Sequence, residues 1–452
     1  MSAMPASVHN SASGRKSAAS RRFARMFALS CAIPLLSAAL PASAQSVVIG
    51  PNGVPVTSPG TTHPQSSDGV SFGGFSLPSA FPKRALALRD RDGPEAVPHQ
   101  LVFTTDGDPA AIAARTGLDL IEATSLQSLG TTLVLVGLRD EDTPDAAAGR
   151  LAQSPEVRNL QPNFVFQAMG EVAALPKRFA LHGLGAAAAS GADDAAIGAT
   201  IAMVDTAVAL EHDALRGARL KQRVFVADPT PRAHGTAVAG LIAGTGAEVP
   251  GVARGARLLN FAAFSERRDG IAVATTVSLA KAFDAVALAR PDVLNLAFGG
   301  REDRVLGLLL DVMDRRGVCM VAAAGNGGAR QRIPFPATHP AVLAVTAIDE
   351  ALRPYAHATR GDRIDVAAVG VDVFVPVPDG ARSAYRRMSG TSMATALVAG
   401  ALSRAPACRA ARAPSGIRAL ARAAARDLGA PGHDPFFGDG LFLLPTETSR
   451  SP

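Results

Sequence analysis

Five short apolar runs, at residues 197–204, 258–263, 293–297, 318–323 and 342–347, recur without strict alternation of apolar and polar positions. A strand that is apolar on both faces must be covered on both faces, as happens in parallel sheets flanked by helices. Segments of helical character, 234–244, 275–289 and 303–315, separate these runs. The repetition predicts an α/β fold with a doubly wound, mostly parallel sheet, and it puts functional residues at the carboxyl ends of strands. With 452 residues and 48% apolar content, the chain has material for that core and for a second folding unit.

A smaller unit precedes it. Residues 100–104, 118–123, 131–138 and 157–166 read as strands, the third being the β-branched run TTLVLVGL. Asp108-Pro109 opens a short helix that Gly117 closes, and Thr143-Pro144 opens another that runs to about residue 153. The order β-α-β-β-α-β predicts a small ferredoxin-like α+β unit. Residues 45–97 are rich in Gly, Pro and Ser and read as a disordered linker. Residues 1–44 carry a basic stretch at 21–25, an apolar run at 26–40 and the small-residue site Ala42-Ser43-Ala44. That is the layout of an export signal cut before Gln45. The apolar run is shorter than the roughly 20 residues a bilayer requires, so no stable membrane span is expected after signal removal.

The net charge of +6 is modest, and the arginines gather near Arg21 and between Arg404 and Arg426 rather than along one face. With 5% aromatic residues and no Trp, these features argue against a nucleic-acid partner. The 404–426 stretch reads as a solvated helix. Cys31 leaves with the signal, so Cys319 and Cys408 remain; two buried free thiols are the default reading and a disulfide the alternative. No C-x-x-C or H-E-x-x-H spacing occurs, so no metal is assigned and structural calcium is left open.

Three motifs carry chemistry, in the order Asp, His, Ser: Val204-Asp205-Thr206, Ala233-His234-Gly235-Thr236 and Gly390-Thr391-Ser392-Met393-Ala394. A serine hydroxyl becomes a useful nucleophile when an imidazole takes its proton. The imidazole in turn needs a carboxylate to fix its tautomer and stabilise its charged form. Asp205 follows the first apolar run, and His234 begins a helix whose small residues allow tight packing. Ser392 opens a helix over 393–404, where the helix dipole favours a developing oxyanion.

On these motifs, residues from about 197 to 444 resemble the subtilisin-like serine proteases. The resemblance implies that Asp205 orients the imidazole, that His234 is general base and then acid, and that Ser392 is the nucleophile. Asn326, ending Ala323-Ala324-Gly325-Asn326, matches the family's oxyanion-hole amide, and Ala297, Phe298 and Gly299 match its substrate-binding strand. No cofactor is required for such chemistry, and polypeptides are the substrates. The family layout makes 98–170 an inhibitory and chaperoning prodomain, 171–190 a processing linker and 191–445 the peptidase domain. The whole would be an exported zymogen, periplasmic or secreted, with its own prodomain as intramolecular inhibitor.

The chain departs from the family pattern at Ala207, Arg254, Ala297, Val369 and Ala396. Those departures motivate an alternative, a degenerate and largely inactive protease fold used for binding. An α/β-hydrolase esterase would need the order Ser, acid, His and a G-x-S-x-G elbow, and Ser392 has neither. His212, His339 and His357 read as loop histidines without catalytic roles.

Overall fold

Each short helix of the smaller unit begins where a capping side chain meets a proline. The computed structural model describes residues 48–49, 55–56, 96–169, 171–173, 196–380, 382–409 and 416–443. The expected export signal, most of the 45–97 linker and residues 174–190 lie outside them. Within residues 1–68, the described part is one antiparallel pair, Val48–Ile49 with Pro55–Val56.

The smaller unit runs β1 (Ala96–Thr105), α1 (Pro109–Thr116), β2 (Asp119–Leu126), β3 (Thr131–Gly137), α2 (Pro144–Ala152) and β4 (Arg158–Ala168). Asp108 caps α1 by accepting from Ala110 N at 2.9 Å, and Thr143 caps α2 by accepting from Ala146 N at 3.3 Å. Each satisfies a backbone donor that the first helical turn leaves orphaned. The strands pair antiparallel in the order β4-β1-β3-β2, the ferredoxin-like arrangement. Phe103, Ile112, Val134, Val136 and Leu151 fill its core. The first strand begins at Ala96, four residues before the start at 100 read from sequence.

After β5 (Glu171–Ala173) come β6 (Thr200–Thr206), β7 (Arg219–Val224), α3 (Ala233–Ala243), β8 (Arg257–Glu266), β9 (Ala272–Thr275) and α4 (Thr276–Ala289). Then follow β10 (Val293–Leu296), β11 (Phe298–Gly299), α5 (Arg304–Arg315), β12 (Cys319–Ala323), β13 (Val342–Ile348) and β14 (Val366–Val369). The chain closes through the hairpin β15 (Val373–Asp379) and β16 (Arg382–Ser389), α6 (Thr391–Leu402), α7 (Pro406–Arg409), α8 (Ile417–Ala423), β17 (Ala425–Arg426) and β18 (Leu441–Phe442).

Strands β7-β8-β6-β10-β12-β13-β14-β18 lie side by side, all parallel. The winding goes one way from β6 to β8 and the other way from β10 onward. Such a reversal opens a crevice at the strands' carboxyl ends. Alternate residues of β6 serve opposite faces: Ile201 and Met203 join the core of α3 and α6, whereas Ala202 and Val204 join that of α4 and α5. The absence of polar alternation in the sequence follows from this double coverage.

Two expectations are corrected. Cys319 and Cys408 are not free thiols: they form a disulfide across 89 residues of sequence, with Cα atoms 5.6 Å apart. The turn after α6 carries α7 back over β12, a proximity with no local signature in the chain. The 404–426 stretch is not one solvated helix, since its described residues form two short ones, α7 and α8, with Cys408, Ile417 and Ala421 buried.

Candidate active site

Asp205 ends the central strand β6 and is 2% exposed. Its Oδ1 accepts from Thr206 N at 2.7 Å and from His234 Nδ1 at 2.8 Å. Because a carboxylate only accepts, Nδ1 carries the proton and Nε2 keeps the lone pair of a base. His234 stands in the first turn of α3, held against β6 by Gly235. A Cβ there would lie 2.5 Å from Thr206 O and 2.7 Å from Thr206 Oγ1, so only glycine allows this approach. Asn260, the lone polar residue amid the apolar stretch of β8, donates through Nδ2 to Thr206 O at 3.0 Å and to Gln222 Oε1 at 2.9 Å. These supports had a sequence signal, a polar residue within an apolar run, but no sequence partner.

Ser392 lies in the first turn of the wholly buried helix α6. Its Oγ donates to Ala297 O at 3.0 Å and contacts the carbonyl oxygen of Met169. His234 Nε2 is buried with no hydrogen-bond partner, and so is Asp205 Oδ2. Gly390, at φ 151°, makes the turn from β16 into α6 in a conformation that L side chains rarely adopt. Asn326 follows β12 in the adjoining loop. Its Oδ1 accepts from Thr391 N and Thr391 Oγ1, both at 3.0 Å. Because Thr391 N–H can only donate, the acceptor end of the amide is committed, and Nδ2 is left as a donor for an anion.

The segment Ala297, Phe298, Gly299 holds an extended peptide from the same chain. Phe298 pairs with Ala168 and Gly299 with Gln167, antiparallel, while Met169 N donates to Ala297 O at 3.2 Å. On the other side, Val273, Ala274 and Thr275 pair with Gln167, Phe166 and Val165. Farther on, Glu171, Val172 and Ala173 pair with Ser389, Met388 and Arg387. Sequence reading found one wall of this groove and missed β9, β16 and Met169, because strand addition depends on tertiary neighbours. Among the described residues no group of three or more metal-capable side chains occurs, and no helix is long and apolar enough to cross a membrane.

A family model described as the subtilase family matches residues 196–440, more than half of the chain. The chain belongs to the subtilase family. This subtilase is 35% identical over 211 residues to a thermophilic serine proteinase of Bacillus sp. (strain AK1), covering 45% of this chain and 51% of that protein. It is 32% identical over 212 residues to halolysin of Haloferax mediterranei, covering 44% of this chain and 40% of that protein. The chain thus spans about half or less of the length of these relatives. Fervidolysin from Fervidobacterium pennivorans, described as a keratinolytic enzyme related to subtilisin, superposes with a TM-score of 0.67 at 21% identity. That match covers 79% of this chain and 61% of the other, and it shows the subtilisin-like α/β fold.

Against this fold, the subtilase's departures sit quietly. Ala207 does not adopt positive φ, so replacing glycine there brings no left-handed strain. Ala396 is buried in the middle of α6, where it is a better helix former than proline. Ala297 contributes its carbonyl, which needs no side chain. His212, read as a loop histidine, is in a loop but buried, with Nε2 2.9 Å from Ala384 O and Nδ1 accepting from Ala214 N at 3.1 Å. It ties the loop after β6 to the β15–β16 hairpin.

Proposed function

We propose that this chain is an exported serine endopeptidase, made as a zymogen, that hydrolyses peptide bonds through an acyl-enzyme. Ser392 Oγ attacks the scissile carbonyl carbon as His234 Nε2 takes its proton, and the imidazolium is stabilised by Asp205. Asn326 Nδ2 and the Ser392 N–H receive the oxyanion. His234 then returns the proton to the leaving amine, and water repeats the cycle to free the acyl group.

The observation that carries this reading is the buried Asp205–His234 hydrogen bond, 2.8 Å long, with a partnerless Nε2 in a site whose nucleophile heads a buried helix. The zymogen part draws support from the chain's own segment 165–169, hydrogen-bonded in the groove beside Ser392. Its prodomain, residues 98–170, acts as intramolecular inhibitor, and the peptidase domain is 191–445. Export to the periplasm or medium is supported by the signal-like first 44 residues and by the Cys319–Cys408 disulfide, a bond that persists in oxidising compartments.

Hydrolysis of an unfolded protein such as casein tests the reading. Wild type should turn it over and label at Ser392 with a serine-directed covalent inhibitor; Ser392→Ala should do neither and should stay unprocessed. A folded wild-type protein that neither cleaves nor labels would leave the binding-protein alternative standing.

A further inference from the structure

We infer that the bond from Met169 to Gly170 is the first this protein cuts in its own chain, and that Phe166 and Met169 are the side chains its cleft reads. The inference rests on the proteolytic activity proposed above and names the sequence that activity selects. Ser392 Oγ lies against the Met169 carbonyl. Upstream, residues 165–168 are hydrogen-bonded between β9 and β11; downstream, residues 171–173 are paired with β16. A chain pinned on both sides of the nucleophile presents one carbonyl to it.

Two side chains of the bound segment meet shaped surfaces. Phe166 is fully buried, with its ring edge-on to Phe298 at 6.1 Å and tilted against Phe335 at 6.4 Å. Any side chain at Gly300 would overlap that ring. Met169 runs over Gly299 and Pro334, and a Cβ at residue 299 would collide with Met169 Cε and come within 2.6 Å of Pro334 Cγ. Glycines 299 and 300 thus open space for a long unbranched apolar chain at the cut and for an aromatic ring three residues before it. Phe166 is the fully buried side chain of the segment, and Gln167, Ala168 and Met169 are half-buried. Substrates are therefore extended polypeptides of the form Phe-x-x-Met, cut after Met. A carboxylate in place of Phe166 would be buried without a partner, and one in place of Met169 would be partly desolvated beside Gly299.

In the cut, Ser392 Oγ bonds to the Met169 carbonyl carbon and its proton passes to His234 Nε2. The bond to the Gly170 nitrogen then breaks, and that nitrogen receives the proton. Water hydrolyses the ester, leaving a Met169 carboxylate and a Gly170 amino terminus.

The test follows the first products of the freshly folded full chain by intact mass, alongside matured wild type acting on the decapeptide FVFQAMGEVA, residues 164–173. The expected result is an amino-terminal fragment ending in Met169, a partner beginning at Gly170, and decapeptide cleavage between Met and Gly. Full-chain Met169→Asp or Phe166→Asp should slow that cut by roughly 100-fold, whereas Met169→Leu should keep it. Decapeptides with Asp at the same positions should resist wild-type enzyme, which removes any dependence on how the variants fold. A first cut elsewhere, or Asp peptides cleaved as fast as the parent, overturns the inference. Casein cleaved while the decapeptide stays whole overturns this inference alone, and casein left intact as well overturns the proposed activity beneath it.

Discussion

The parallel domain and the antiparallel unit in front of it are both made of strands and helices, yet they use their sheets differently. Central strands β10, β12 and β13 are buried along their whole length, covered by the domain's own helices on both faces. The smaller sheet covers only one face with its own helices. Leu101 and Phe103 of β1 pack under α1 and α2, whereas Val102, Leu133 and Phe164 join the core formed with α4 and α5 of the larger domain. Its edge strand β4 completes hydrogen bonds with β9 and β11. The larger domain is thus self-sufficient, and the smaller one borrows a face and an edge. Separating them would expose apolar surface at about 25 cal/mol per Å² plus an unpaired strand edge, so separation is strongly opposed.

The contrast would break most decisively at the nucleophile. Ser392→Ala should lower kcat on casein by at least about 10⁴-fold. Next comes the disulfide: Cys319→Ser with Cys408→Ser should cost about 4.6 kcal/mol, from the chain-entropy cost of an 89-residue loop. Denaturant unfolding of the parallel domain, with wild type in reducing agent for comparison, checks it. Asn326→Leu should lower kcat by about 10²- to 10³-fold with little change in KM, the outcome expected of the proposed oxyanion role of its amide.

Smaller effects probe the border. Asp284 on α4 accepts from Ser128 N at 2.7 Å and Gln127 N at 3.2 Å on the turn between β2 and β3. Asp284→Ala should weaken docking of the smaller unit by about 1–3 kcal/mol, read as faster hydrogen exchange at residues 127–128, without altering peptide hydrolysis by the matured protein. The smallest effect concerns Asp303, which caps α5 by accepting from Leu306 N at 2.9 Å and from Thr276 Oγ1 at 2.6 Å, beside Gln161 of β4. Burial pushes its carboxyl above the usual range, against the hydrogen bonds from Leu306 and Thr276 that pull it down. A raised acid binds its proton more tightly when folded. Its contribution is therefore fullest below the ordinary Asp value and is lost as pH rises through the raised one. Stability measured across that window should fall in wild type and flatten in Asp303→Asn.

Much was legible in the sequence because local physics announced it. The caps at Asp108 and Thr143, the β-branched run of β3 and the two-sided apolar strands each express a requirement met within a few residues. The three motifs were legible as short sequence patterns, Ser392 heading its own helix, although what keeps Gly235 small is Thr206 on β6, a tertiary neighbour. His212 was not, since what buries it comes from Ala384 and Tyr385 on a distant hairpin.

The sequence by itself determined the alternation of strands and helices, the ferredoxin-like order and the three motif residues, because periodicity, capping and short-range sterics are encoded next to where they act. Only the tertiary structure decided that Cys319 meets Cys408, that Asn260 buttresses Thr206, and that residues 165–169 lie in the groove with Met169 at Ser392. Each of those contacts joins groups far apart along the chain. Their proximity follows from how whole elements pack, which no local pattern records.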